Sequence, residues 1–395
     1  MRKKILPILK FTIRWGIAVF GILYVISKMS WHDRVWAELP GAPAPQWMTV
    51  VGMNSKETDA VFSVIDPRTE QVIQVAPVVR PDRPRLEIGV IRMVRQAEPK
   101  WLFAALTVFP LTIIITSLRW HELLKAVDIR LTISRTFVLN MVGLFYSTFM
   151  LGSTGGDVLK AYYVAKQTHH RTRAVMSVLV DRAIGLIALI IVGGSMAAMQ
   201  WQIRKCRQVA VTSGVLLLVT AVGMIVFYNE RLRRISGLDF IITKLPMQKQ
   251  VEKAIETMHI YGKRPLLALG ALVSSFPVHA VVITSAMLCG WAFALPIKTF
   301  YYWMAVPVIV LAGSIPISPQ GAGVMEYFAI NLLEPQGVTV GQAFALTMSI
   351  RLTQMLWNLT GGIFVFRGGY HAPTQSEQQQ QEVEDEDRDG KVASC

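Results

Sequence analysis

Phe149-Met150-Leu151-Gly152-Ser153-Thr154-Gly155-Gly156-Asp157-Val158-Leu159-Lys160 decides how this chain is read. Three glycines, two small hydroxyls, a carboxylate and an amine stand between apolar segments. A soluble enzyme could wrap such a turn around a phosphate, but here the flanking chain is membrane-like. Irregular backbone at membrane depth persists only where protein buries it or where it lines a wet cavity. An ionisable residue there marks a functional site by default.

The composition supports that setting. The chain has 395 residues, 52% of them hydrophobic and 17% charged, with a mean hydropathy of +0.42. Its formal net charge of +14 and pI near 9.8 come from basic residues spread over the loops between apolar runs. That distribution is the signature of loops facing anionic lipid, and it argues against nucleic-acid binding. Cys206, Cys289 and Cys395 lie too far apart to suggest a disulfide framework or a metal site. Trp101, Trp201, Trp291 and Tyr301, near the ends of apolar runs, read as interface anchors. No metal, nucleotide or other cofactor is expected.

Taken in order, residues 1–27 read as an uncleaved membrane anchor, basic at its start and apolar over 11–26. Residues 28–100 mix charges and prolines with short β-rich runs, at 47–51, 61–65, 72–75 and 86–94, and predict a small extracytoplasmic β-rich insertion. Spans are expected at 101–118, 174–199, 209–228, 265–288 and 342–366. Residues 368–395 form an acidic, Gln-rich tail whose composition cannot bury a core.

Charge counting orients these spans. Eight Lys or Arg between 229 and 264 place that loop in the cytoplasm. Arg119, Lys125, Arg130, Arg135, Arg171 and Arg173 fall on the same side, so 136–163 must enter and return. Gly152–Asp157 is then the tip of a re-entrant hairpin, two closely spaced full crossings being the alternative. By the same reasoning 297–340 begins and ends outside, with its own tip at 314–323. The expected fold is an all-α polytopic membrane protein with the N-terminus cytoplasmic. It has about six full spans plus two re-entrant or broken helices as an inverted repeat, or else eight spans. Interrupted segments entered from opposite faces are the pattern of a transporter with a midplane site.

The candidate site residues follow. Gly155-Gly156 ahead of Asp157 can offer backbone N–H groups to an anion such as a lipid phosphate, with Lys160 near in sequence to assist. The structural alternative is a tight turn with Asp157 capping the next helix. Asp181-Arg182 lies about two turns into a span and Arg351 near the middle of the last one. Lone charges there cost on the order of 2.5–3.5 kcal/mol each, so Asp157 with Arg182 and Glu326 with Arg351 are the expected pairs. Such pairs could equally serve only to hold helices together.

These residues carry a family resemblance over roughly 101–367. Arg119-Trp120-x-x-Leu123-Leu124, Asn140, Ser153-Thr154-Gly155-Gly156-Asp157-Val158-Leu159-Lys160-Ala161, Asp181-Arg182-x-x-Gly185-Leu186 and Pro316-Ile317-Ser318-Pro319-Gln320-Gly321-Ala322-Gly323-Val324-Met325-Glu326 appear in that order. The set resembles the flippase-like transmembrane family of lysylphosphatidylglycerol synthases. It departs from the family at Leu151-Gly152, where a proline is common, and at Lys160, where arginine is common. About 28 residues follow Arg367, so the resemblance implies lipid handling without the soluble aminoacyl-transferring domain. It also implies a non-catalytic translocase in the plasma (inner) membrane that moves an anionic or aminoacylated phospholipid, or a polyprenyl-linked lipid, between leaflets. The expected substrate contacts are Ser153, Thr154, Gly155, Gly156, Asp157, Lys160, Asp181, Arg182, Pro319, Gly321, Gly323, Glu326 and Arg351. Membrane lipids are the expected partners, with a protein partner at 28–100 and a homodimer left open. The rival expectations are an enzyme on lipid-linked substrates, using Asp157 and Glu326 as acid and base, and a scaffold recruiting partners through 28–100.

Overall fold

The computed structural model describes residues 23, 26–27, 30–38, 44–53, 61–66, 69–78, 86–149, 155–168, 170–236, 248–315, 318–368 and 370. Nearly all of the expected anchor at 1–27 lies outside the described residues, as does the tail from 371.

The insertion is a β-domain. Strands β1 (Arg34–Ala37), β2 (Gln46–Met53), β3 (Phe62–Ile65), β4 (Val72–Val75) and β5 (Leu86–Glu87) form an antiparallel sheet in the order β4-β3-β2-β1-β5. Side chains alternate along a strand, so Val35 and Ala37 turn inward and meet Met48, Phe62, Val64 and Val75 in a small core. Trp36 packs edge-on against Trp47, with ring centroids 5.3 Å apart, and Arg34 stands over Trp47. The run 86–94 is not one strand as expected. Only Leu86–Glu87 pairs, and helix α1 (Val90–Arg95) begins after Gly89. Asp33 imposes the switch: its carboxylate accepts the Gly89 N–H at 2.8 Å and pairs with Arg92 at 2.7 Å. An N-terminal carboxylate contact favours a helix start over continued strand.

The membrane part is helical. α2 (Pro99–Val108) and α3 (Pro110–Ala126) make one rod of 28 residues, and α3 continues well past the expected end at Leu118. α4 (Ile133–Phe149) and α5 (Gly155–Ala165) form the first hairpin. α6 (Arg171–Ala198), α7 (Arg204–Tyr228), α8 (Glu230–Ile235), α9 (Gln248–Gly262) and α10 (Pro265–Ala292) follow. α11 (Thr299–Ser314), a 3-10 turn at Pro319–Gly321 and α12 (Val324–Leu333) form the second hairpin. α13 (Val340–Thr360) and α14 (Gly362–Gly368) complete the described chain, dividing the expected final span at Gly361. Among the described residues, Pro99–Ala126, α6, α7 and α10 are long and apolar enough to cross a membrane. The chain is a polytopic helical membrane protein.

α6 is the hub, packing against α3, α5, α7, α9, α10 and α11. Two apolar cores flank it. One joins α2, α10, α11, α12 and α13 with the C-terminal half of α6. The other joins α3, α4, α5, α9 and α14 with its N-terminal half. At the β-domain end, Trp101 packs edge-on against Trp291 at 5.1 Å and the Glu98 N–H donates to the Ala292 carbonyl. α7 buries little besides Cys206 and Ser213 and presents a long apolar face, including Leu218, Val219 and Ile225, as expected for contact with acyl chains.

The two hairpins are entered from opposite ends. α5 and α12 hold 11 and 10 residues, so each is roughly 15–17 Å long, about half the hydrocarbon thickness. These lengths favour the re-entrant reading over two complete crossings. Each hairpin is closed by a glycine contact that leaves no room for a side chain. A Cβ on Gly156 would fall 2.0 Å from the Gly143 carbonyl oxygen, and one on Gly321, at φ +68°, would fall 2.5 Å from the Gly313 Cα.

Gly156→Ala is therefore expected to destabilise the detergent-solubilised protein by about 1–3 kcal/mol through overpacking. Gly214→Ala, where a Cβ meets nothing within 4 Å, should be neutral or stabilising by up to about 1 kcal/mol. Thermal midpoints of the two variants check this, and equal midpoints would contradict the close approach of α4 and α5.

Candidate functional site

The hairpin tips meet beside α6. Gln320, in the second tip with φ +48°, donates through its amide to the Thr148 carbonyl near the end of α4 at 3.3 Å. Arg182 of α6 reaches both hairpins, pairing with Asp157 in the first turn of α5 and donating to the Ser314 carbonyl at the end of α11 at 3.5 Å. Asp157 stands in the first turn of α5, where negative charge is favourably placed against the helix dipole.

A second pair repeats the first. Glu326, in the first turn of α12 and fully buried, takes Arg351 of α13 on one oxygen at 2.7 Å. Thr347 donates to the same oxygen at 3.1 Å, and the other oxygen accepts the Gly323 N–H at 2.7 Å. Both carboxylates are the third residue of a short helix, and each is separated from its arginine by 25 positions. The pairs expected from sequence are thus both present, in equivalent places on the two hairpins. They differ in access. Asp157 and Arg182 have side chains 32% and 22% exposed, against 0% for Glu326 and 11% for Arg351. Two buried polar atoms here, Ser318 Oγ and Arg351 Nε, have no hydrogen-bond partner among the described residues. Buried polar atoms without partners cost free energy unless water or a ligand satisfies them.

Some expected site residues sit elsewhere. Lys160 faces Asp181. It is buried, lies 3.8 Å from Asp181 and stands over the Trp120 ring. Asp181 turns away from Arg182 and binds Arg119, whose Nε donates at 2.8 Å and whose Nη1 reaches Ser275 at 2.5 Å. Arg119 is accordingly not the cytoplasmic loop charge it was counted as, because α3 carries it inside the bundle. Trp120 donates to Ser177 at 3.2 Å and Asn140 to Ser117 at 2.9 Å, so the Arg-Trp and Asn motifs build the same polar layer. Gly321 and Gly323 have φ of +68° and +82°, conformations that side chains resist, and Gly323 supplies the N–H that Glu326 caps. Pro319 opens the 3-10 turn before them. Gly155 and Gly156 start α5. Ser153 and Thr154 lie outside the described residues.

A fissure between α3 and α10, about 410 Å³, opens beside this polar layer. Leu118, Leu123, Leu267 and Ala271 give it apolar walls, and Arg119 and Ser274 reach its lining.

Comparison with known proteins agrees with this architecture. A family model described as the lysylphosphatidylglycerol synthase TM region matches residues 89–362, and so takes in α1 as well as both hairpins. The UPF0104 membrane protein PH1989 of Pyrococcus horikoshii is 19% identical over 301 residues, covering 70% of this chain and 90% of its own.

Asp181→Asn leaves Arg119 and Lys160 without their shared carboxylate. It is expected to cost about 3–5 kcal/mol, the penalty for stripping one partner from a buried ion pair. Adding Arg119→Gln should recover more than about 1 kcal/mol of that loss through coupling. Thermal unfolding of the three variants measures both, and strictly additive losses would rule out the buried pair.

Proposed function

The chain belongs to the family of lysylphosphatidylglycerol synthase transmembrane regions, and we propose that it carries an anionic or aminoacylated phospholipid, or a polyprenyl-linked lipid, from one leaflet to the other. The observation that carries this reading is the meeting of two oppositely entered hairpins, each with a carboxylate–arginine pair at its short helix. A headgroup phosphate can replace a carboxylate on an arginine, because guanidinium binds both bidentately. Arg182 is the first candidate, since its pair is the more accessible one. The displaced Asp157 is then free to hold the amine of an aminoacylated headgroup. Glu326 and Arg351 form the corresponding station on the second hairpin. Acyl chains stay in lipid along grooves such as the α3–α10 fissure, so only the polar head needs a protected path.

The proposed setting is the plasma (inner) membrane, with the N-terminus cytoplasmic and the β-domain outside. The role is transport without covalent chemistry. The sequence carries no nucleotide-binding motif, and the movement is either scrambling or coupled to an ion gradient.

The test is leaflet exchange in liposomes containing the purified protein and headgroup-labelled phosphatidylglycerol or its lysyl derivative, read by membrane-impermeant quenching. Asp157→Asn and Arg351→Gln are each expected to slow exchange on the order of a hundredfold, the rate equivalent of the about 3 kcal/mol that an unpaired charge costs at mid-membrane. Exchange by folded wild type that both variants retain would separate transport from the paired charges. Folded wild type that exchanges none of several anionic lipids would overturn the reading.

A further inference from the structure

At the end of the bundle away from the β-domain, the start of α4, the end of α5 and α14 enclose a separate cavity of about 580 Å³. Three of its lining residues are cations, Arg135, Lys166 and Arg367, and none of the described lining residues is acidic. Neither Lys166 nor Arg367 has an ion-pair partner among the described residues, and both are exposed. Arg135 donates to Gln167 at 3.3 Å, and its guanidinium lies 5.4 Å from the Tyr370 ring. That leaves the arginine held in place, with no acidic partner among the described residues.

The wall opposite is aromatic and fixed. Tyr370 is buried and packs edge-on against Tyr163 at 4.9 Å, while Tyr146 donates to its backbone carbonyl at 2.8 Å. The Tyr370 hydroxyl is itself buried without a hydrogen-bond partner among the described residues. The charged groups of the described lining are all cations, and such a cavity suits an acceptor-rich anion. Phe364 and Val138 add apolar surface to the same lining.

We propose that this cavity is a second binding site, for a phosphate group, distinct from the paired charges at the hairpin tips. Lys166 and Arg367 neutralise the phosphate, Arg135 orients it, and the Tyr370 hydroxyl donates to one of its oxygens. The apolar lining suits a phosphate that arrives on a lipid, and a free phosphate shares the same chemistry. The site stands whether or not the hairpin tips move lipids, because it is read by binding alone.

The experiment uses the full chain in detergent micelles and measures equilibrium binding of short-chain phosphatidylglycerol, with short-chain phosphatidylcholine as the zwitterionic comparison and inorganic phosphate as competitor. The phosphatidylglycerol is expected to bind more tightly than the phosphatidylcholine. The Lys166→Gln/Arg367→Gln double variant should weaken binding by about tenfold or more, as for removal of two charge-assisted contacts. Tyr370→Phe keeps the ring and should weaken it about fivefold. Both cations are exposed, so their replacement leaves folding intact, and an unchanged thermal midpoint verifies this. Competition by inorganic phosphate would mean that the phosphate group alone is recognised. Binding that resists competition yet still needs Lys166 and Arg367 would assign the site to a lipid-borne phosphate. Equal binding of the two lipids, or binding unaffected in the double variant, would overturn the proposal. The double variant reads this site by binding and Asp157→Asn reads the hairpin tips by exchange, so failure of one reading is distinguishable from failure of the other.

Discussion

A guanidinium halfway along a membrane helix must be neutralised by something the chain itself supplies, and the fold of this protein is arranged around that requirement. Arg182 and Arg351 sit on long helices, and the carboxylate that α6 itself carries beside Arg182, Asp181, is taken by Arg119. Short helices entering from opposite ends bring Asp157 and Glu326 instead. A carboxylate in the first turn of a short helix is doubly served, by the helix dipole and by the cation. That is a physical reason for hairpins whose second arms are too short to cross the bilayer.

Glycine makes the hairpins tight enough to work. The contacts at Gly143–Gly156 and Gly313–Gly321 bring backbones together, and small-residue contacts of this kind are how helices associate where lipid is as apolar as side chains. The two halves are not interchangeable, however. The first pair is open enough to exchange partners, while Glu326 is enclosed and also caps its own helix. In the proposed function the first half receives the headgroup, and the second, enclosed and capped, holds its shape.

Much of this was legible before any coordinates. The cost of an isolated charge was enough to name both ion pairs, because few carboxylates stand at comparable depth. The glycine turn and the Pro/Gly turn mark the tips, and short β-rich runs mark three of the five strands. What failed did so for definable reasons. Arg119 was assigned to a loop because a charge at the end of an apolar run resembles a helix leaving the bilayer, and only tertiary structure reveals Asp181 waiting for it. Lys160 lies three positions after Asp157, on the same side of α5, yet its ammonium faces Asp181 and the Trp120 ring, a choice that spacing alone does not make. The strand expected through Val94 was cut short by Asp33, a contact across more than fifty positions that no local pattern encodes.

Asp181 and Arg182 are consecutive on α6, so they point about 100° apart around its axis. One is gripped by Arg119 and Lys160, the other by Asp157 and the end of α11. Rotation of α6 as a rigid body carries both side chains together. Twisting α6 to free Arg182 must load the contacts of Asp181, and relaxing those contacts returns the arginine. The dipeptide makes α6 a crankshaft, its two throws set at a fixed angle by the peptide bond between them.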